Sequence, residues 1–156
     1  MADQEKTGSS GHSTDAFEIG QLVARYALAI DDHDTDALAE MYVPDAEFIG
    51  LSDTPQGRSE IVRYVREALT GYDAVSVHTP HSSVVDFADD DTAYGIVPCH
   101  VEFAQDGVQM ILAVRYYDRY VRHDGRWRFG SRRLEVRYAS PVDGYSTVLT
   151  TAPARL

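Results

Sequence analysis

The chain is short of cysteine, lysine and long apolar runs, and each shortage closes off a class of protein. A single cysteine, Cys99, cannot form an intramolecular disulfide, so the fold is expected to rest on its core and to suit a reducing, cytoplasmic location. No apolar stretch approaches the roughly 18–20 residues that a membrane-spanning helix needs. The opening MADQEKTGSSGHS also lacks the apolar segment of a secretory leader. Lysine occurs once, at Lys6, against thirteen arginines, and acids exceed bases to a formal charge of −11. Nucleic acid and anionic membranes are polyanions, so neither is expected as a partner.

What remains is a 156-residue chain, 44% hydrophobic, of a size that supports one domain with one core. Residues 1–13 are polar and rich in glycine and serine, which predicts a disordered tail. Asp15 followed by Glu18 resembles a capping box, so a first helix is expected from about Asp15. Ile19, Leu22, Val23, Tyr26, Ala27 and Ile30 recur at helical spacing and form its buried stripe. TDALAEMY reads as a short second helix ended by Pro44, and DAEFIGL as a short strand. A third helix is expected over Ser59–Leu69, with Ile61, Val62, Val65, Ala68 and Leu69 on one side and Gly71 beyond its end.

From Val75 the pattern changes to long strands at roughly 75–87, 92–104, 108–122 and 126–139. ADDD, AQDG and RHDG separate them, and each suits a hairpin turn. Three helices followed by such a meander predict an α+β fold: a cone-shaped, curved antiparallel sheet packed on three N-terminal helices and enclosing a pocket. A C-terminal tail from Pro141 is expected to cover the pocket or an interface.

Three segments hold candidate chemistry. ARYALAIDDHDTDAL carries Tyr26 and Asp31, about 140° apart around one helix, where a core tyrosine and a solvated acid are the plain alternatives. VHTPHSSVVDF carries His78 and His81, which face opposite sides of a regular strand unless Pro80 distorts it, and His100 lies on the next strand. On the last strand, Arg132 and Arg133 occupy opposite faces, so one of them points inward and needs an anionic partner. Eight arginines fall between Arg115 and Arg137, and most read as a solvated strand face. No HExxH, cysteine pair or close histidine pair marks a metal site, and none is expected.

RYALAIDDHDTDALAEMYVPDAEFIG, GRSEIVRYVREAL, DDDTAYGIVPCHVEF and YYDRYVRHDGRWRFGSRRLEV together resemble the SnoaL-like family of the nuclear-transport-factor cone superfamily. The resemblance spans residues 15–140 and is closest in pattern to the group of scytalone dehydratase, bile-acid dehydratase and hexachlorocyclohexane dehydrochlorinase. It implies that Asp31 orients His78, that His78 removes a proton, and that Tyr26 occupies the place of a catalytic tyrosine or lysine. It further implies that Arg133 binds substrate, with His100 nearby. A slightly longer stretch after His78 leaves His81 as an alternative for the histidine role. The base position of ketosteroid isomerase falls at Gly50, so that route is not expected.

The function so implied is a cofactor-independent acid–base lyase or cyclase acting on a hydrophobic small molecule by dehydration, ring closure or double-bond migration. Two alternatives stay open. One is a non-catalytic binding or assembly subunit, like the small subunit of ring-hydroxylating dioxygenases. The other is a cyclase or isomerase that works mainly by shaping its substrate. Relatives pack their sheets together, so a homo-oligomer is expected, a trimer ahead of a dimer.

Overall fold

The computed structural model describes residues 7–71 and 75–144; the tail expected over 141–156 therefore lies mostly outside the described residues. Helix α1 spans Thr7–Asp31, and the whole predicted stripe from Ile19 to Ile30 is buried. Its start corrects the capping role of Asp15, because the helix begins eight residues earlier; residues 1–6 of the expected tail lie outside the described residues. Tertiary contacts outweigh the poor helix propensity of the glycines and serines there. His12 stacks on Phe87 at 4.4 Å, and Asp15 accepts from Arg122 at 2.6 Å and from the Trp127 indole at 3.0 Å.

Helix α2 (Thr35–Met41) is capped by Asp34, whose carboxylate accepts from the Ala37 N–H at 2.9 Å. Strand β1 (Tyr42–Ile49) follows at once. Pro44, which has no N–H to donate, falls in the irregular stretch between Tyr42 and Glu47 where register with its neighbour shifts. Helix α3 (Arg58–Leu69) buries Ile61, Val65 and Leu69, one residue per turn.

The remaining strands are β2 (Ser76–Pro80), β3 (Val84–Phe87), β4 (Thr92–Gln105), β5 (Val108–His123) and β6 (Arg126–Pro141). Sheet order is β1-β6-β5-β4-β2, with β3 also paired to β4. The β4–β5 and β5–β6 hairpins turn at Asp106-Gly107 and Asp124-Gly125, all four with positive φ between 51° and 76°, as primed turns require. Two expectations change. The strand predicted over 75–87 is two strands, because Pro80 ends the first and the His81 N–H turns to the Pro98 carbonyl at 2.8 Å. The sheet is mixed rather than antiparallel, because β1 joins β6 in parallel.

The sheet is curved and unclosed, and its inner face lies on the helices. Along β4, Ala93, Val97, Cys99 and Val101 point inward, while Tyr94, Ile96 and His100 point outward. Gly95 lets the wall close: a Cβ there would sit 2.7 Å from the Tyr120 ring and 3.1 Å from the Val84 carbonyl. No helix among the described residues is long and apolar enough to cross a membrane.

Candidate active site

Asp31 ends α1 where that helix lies against β2, and this placement brings it to His78. His78 Nδ1 lies 2.7 Å from Asp31 Oδ1, and the His78 backbone N–H donates to both carboxylate oxygens, at 3.1 and 2.9 Å. The Ser76 hydroxyl donates to Oδ1 at 3.0 Å. Side-chain exposure is 9% for His78 and 18% for Asp31, so the pair is screened from most of the solvent. Burial pushes the His78 pKa below its ordinary value; Asp31 opposes this, and the Arg132 charge adds to it. The ring is therefore neutral at pH 7. In the tautomer whose Nδ1–H faces the carboxylate, Nε2 on the opposite edge carries the lone pair.

The His78 ring lines a small inner void with Tyr26 of α1, Cys99 of β4, Tyr116 of β5 and Arg132 of β6. The void measures about 10 Å³, the room of a single water, so a substrate requires these side chains to move apart. Tyr26 is buried, which raises its pKa and keeps its hydroxyl protonated. A much larger groove, about 600 Å³, opens elsewhere, between α1, α2 and the β5–β6 turn; it is lined by Glu18, Arg25, Glu40 and Arg126 and contains none of the predicted site residues.

Arg132 is the charged residue at the base of the void. Its guanidinium donates to Asp118 Oδ1 and Oδ2 at 2.8 and 2.9 Å, and the Tyr120 hydroxyl donates to Oδ2 at 2.8 Å. The rings of Tyr26, Tyr116 and Phe129 stand 4.1–4.2 Å from the same guanidinium. Burial disfavours its charge, but the facing Asp118 carboxylate outweighs this and holds the Arg132 pKa well above the usual value. Its Nη1 is buried with no hydrogen-bond partner among the described residues.

These positions sort the predicted residues. Asp31 bonds to His78, which lines the void with Tyr26, and of the two histidines in the β2 segment it is His78 that faces inward. Arg133 does not join them: it is 44% exposed on the outer face, stacked on Tyr117 at 4.1 Å and 3.7 Å from Glu135. The inward arginine is its neighbour, Arg132. His81 and His100 also lie away from the void, on the outer face of the sheet. There His81 Nε2 meets His100 Nδ1 at 2.7 Å, and His100 Nε2 meets the Tyr138 hydroxyl at 3.2 Å. Among the described residues no group of three or more His, Cys, Asp or Glu side chains converges as a metal site.

Two participants escaped the sequence reading, though each had a signal. Asp118 sits between Tyr116 and Tyr120 in phase with the inner face of β5. Ser76 precedes His78 by two residues and so shares its face.

A SnoaL-like domain model matches residues 11–133. Similar solved structures include LinA (21% identity, TM-score 0.82), covering 87% of this chain and 95% of that one. Hexachlorocyclohexane dehydrochlorinase LinA-type3 from Novosphingobium barchaimii is 19% identical with a TM-score of 0.81, covering 88% and 96%. A candidate scytalone dehydratase from Novosphingobium aromaticivorans is 19% identical with a TM-score of 0.79, covering 85% and 91%. At these identities the likeness is one of fold. No curated protein matches the sequence.

Proposed function

The chain belongs to the SnoaL-like domain family, and from that premise we propose that it is a cofactor-independent acid–base lyase or cyclase acting on a hydrophobic small molecule. The observation that carries this reading is the 2.7 Å contact between Asp31 and His78, in a largely buried pair whose imidazole lines the inner void.

In the proposed reaction His78 Nε2 takes a proton from carbon next to a carbonyl or other activating group. The C–H electron pair becomes a new double bond, and a leaving group departs from the adjacent carbon with its own electron pair. Asp31 fixes the tautomer beforehand and stabilises the imidazolium afterwards. Tyr26 donates a hydrogen bond to the carbonyl or the departing group. Arg132, in the role first expected of Arg133, offsets the negative charge that develops. In ring closure the same electron pair attacks an internal electrophile.

A panel of hydrophobic β-hydroxy and β-chloro carbonyl compounds, incubated with the protein in EDTA, tests this reading. Formation of the conjugated alkene from at least one member, followed by ultraviolet absorbance, is the expected outcome. Binding without turnover across the panel would favour a non-catalytic subunit instead.

A further inference from the structure

The Asp31 carboxylate receives more donors than the imidazole alone. Oδ1 takes the Ser76 hydroxyl at 3.0 Å, His78 Nδ1 at 2.7 Å and the His78 N–H at 3.1 Å, while Oδ2 takes the same N–H at 2.9 Å. Ser76 is 1% exposed, and a buried hydroxyl costs stability unless it is bonded, so this contact satisfies it where an alanine would serve for packing alone. Its place on β2, two residues before His78, aims both side chains at one carboxylate oxygen.

We propose that Ser76 is a positioning residue of this site: its hydroxyl shares Asp31 Oδ1 with the imidazole and so limits how strongly the carboxylate holds the protonated ring. The groups that face His78 leave room for such control. From α1 come Asp31 and Tyr26, from β4 Cys99, from β5 Tyr116 and from β6 Arg132. Burial keeps the two tyrosines protonated and pushes the Cys99 thiol up to about 11, so these three are neutral near pH 7. Among the described residues, Asp31 and Arg132, of opposite sign, are the charges that act on the ring. Ser76 is neutral and touches the carboxylate rather than the ring, so it alters the pull of Asp31 while changing no charge.

The sign follows from competition. Without the hydroxyl, Oδ1 has one donor fewer, and the His78 Nδ1–H receives a larger share of its electron density. The protonated ring gains, and its titration midpoint rises. The two bonds from the His78 backbone N–H keep the carboxylate in place, so orientation survives the loss.

The test is an NMR titration of the His78 ring in the full chain, assigned by its absence in His78→Ala. In Ser76→Ala the midpoint is expected to rise by roughly half a pH unit. Ser76→Cys, of similar size but a weak donor, is expected to rise by less. A midpoint in Ser76→Ala that is unchanged or lower overturns the inference. The inference rests on the Asp31–His78 reading above, yet the titration needs no substrate, so the two fail separately. Full turnover by His78→Ala would reject His78 as the base and leave the Ser76 result standing.

Discussion

His78→Ala lowers turnover by about 10²–10⁴-fold on any substrate the protein converts, the contribution expected of a well-placed general base. The effect is chemical rather than structural. Removing the ring leaves Asp31 bonded to Ser76 and to the backbone N–H of residue 78, so α1 stays anchored to β2. KM changes little if the imidazole acts mainly in the transition state, and kcat carries the loss. Steady-state kinetics beside a melting curve separate the cases. A loss of less than tenfold with the fold intact removes His78 from the role of base.

Asp118→Asn has the largest expected effect on stability. Arg132 and Asp118 form a fully enclosed pair, with side-chain exposures of 1% and 0%. Neutralising the acid leaves a guanidinium in the core with no counter-ion. Breaking a buried pair from one side costs about 3–5 kcal/mol, because the surviving charge has already lost its water. For a domain of this size that corresponds to a melting temperature lower by roughly 10 °C. The aromatic rings around Arg132 offset part of the cost, but they do not supply a counter-charge. The outer-face Arg133 sets the scale: Arg133→Ala is expected to shift stability by no more than about 0.5 kcal/mol. Calorimetry on the two variants decides the point. A drop below 2 °C in Asp118→Asn would mean that the pair contributes little.

How far the molecule was legible in its sequence varied with the physics involved. Helix stripes and hairpins could be read because 3.6-residue spacing and Asp-Gly turns are local signals. The stripe from Ile19 to Ile30 and the turns at Asp106 and Asp124 are examples. The start of α1 could not be read, since contacts from Phe87, Arg122 and Trp127, distant in sequence, hold a weak helical stretch in place. Tyr26, Asp31 and His78 had plain explanations when taken singly, and only the resemblance to a cone fold suggested that they meet.

The choice between Arg132 and Arg133 turned on strand phase. Strands β5 and β6 shift register between Ala113 and Val114 and again between Arg119 and Tyr120, and each irregularity can exchange inner and outer faces. Alternation therefore required one inward arginine without saying which. His81 lies on the outer face, the side opposite His78 that regular alternation gives it, and its contact with His100 is one that no spacing within one strand reveals.

The pH dependence of kcat/KM tests the proposed base most directly. The working form of His78 is the neutral ring, and burial lowers its folded pKa beneath the ordinary value of about 6.5. Activity should therefore be level near neutrality and fall only below that value, about tenfold per pH unit once past the folded pKa. The same depression removes stability as pH falls from about 6.5 through the folded pKa, because the unfolded chain binds the proton first. Rates should accordingly be read only where melting curves show the protein folded. A single acidic limb with its midpoint below 6.5, missing from whatever residual activity His78→Ala retains, is the expected profile. A limb with its midpoint above 6.5, or one that persists in His78→Ala, would contradict the assignment of His78 as the base.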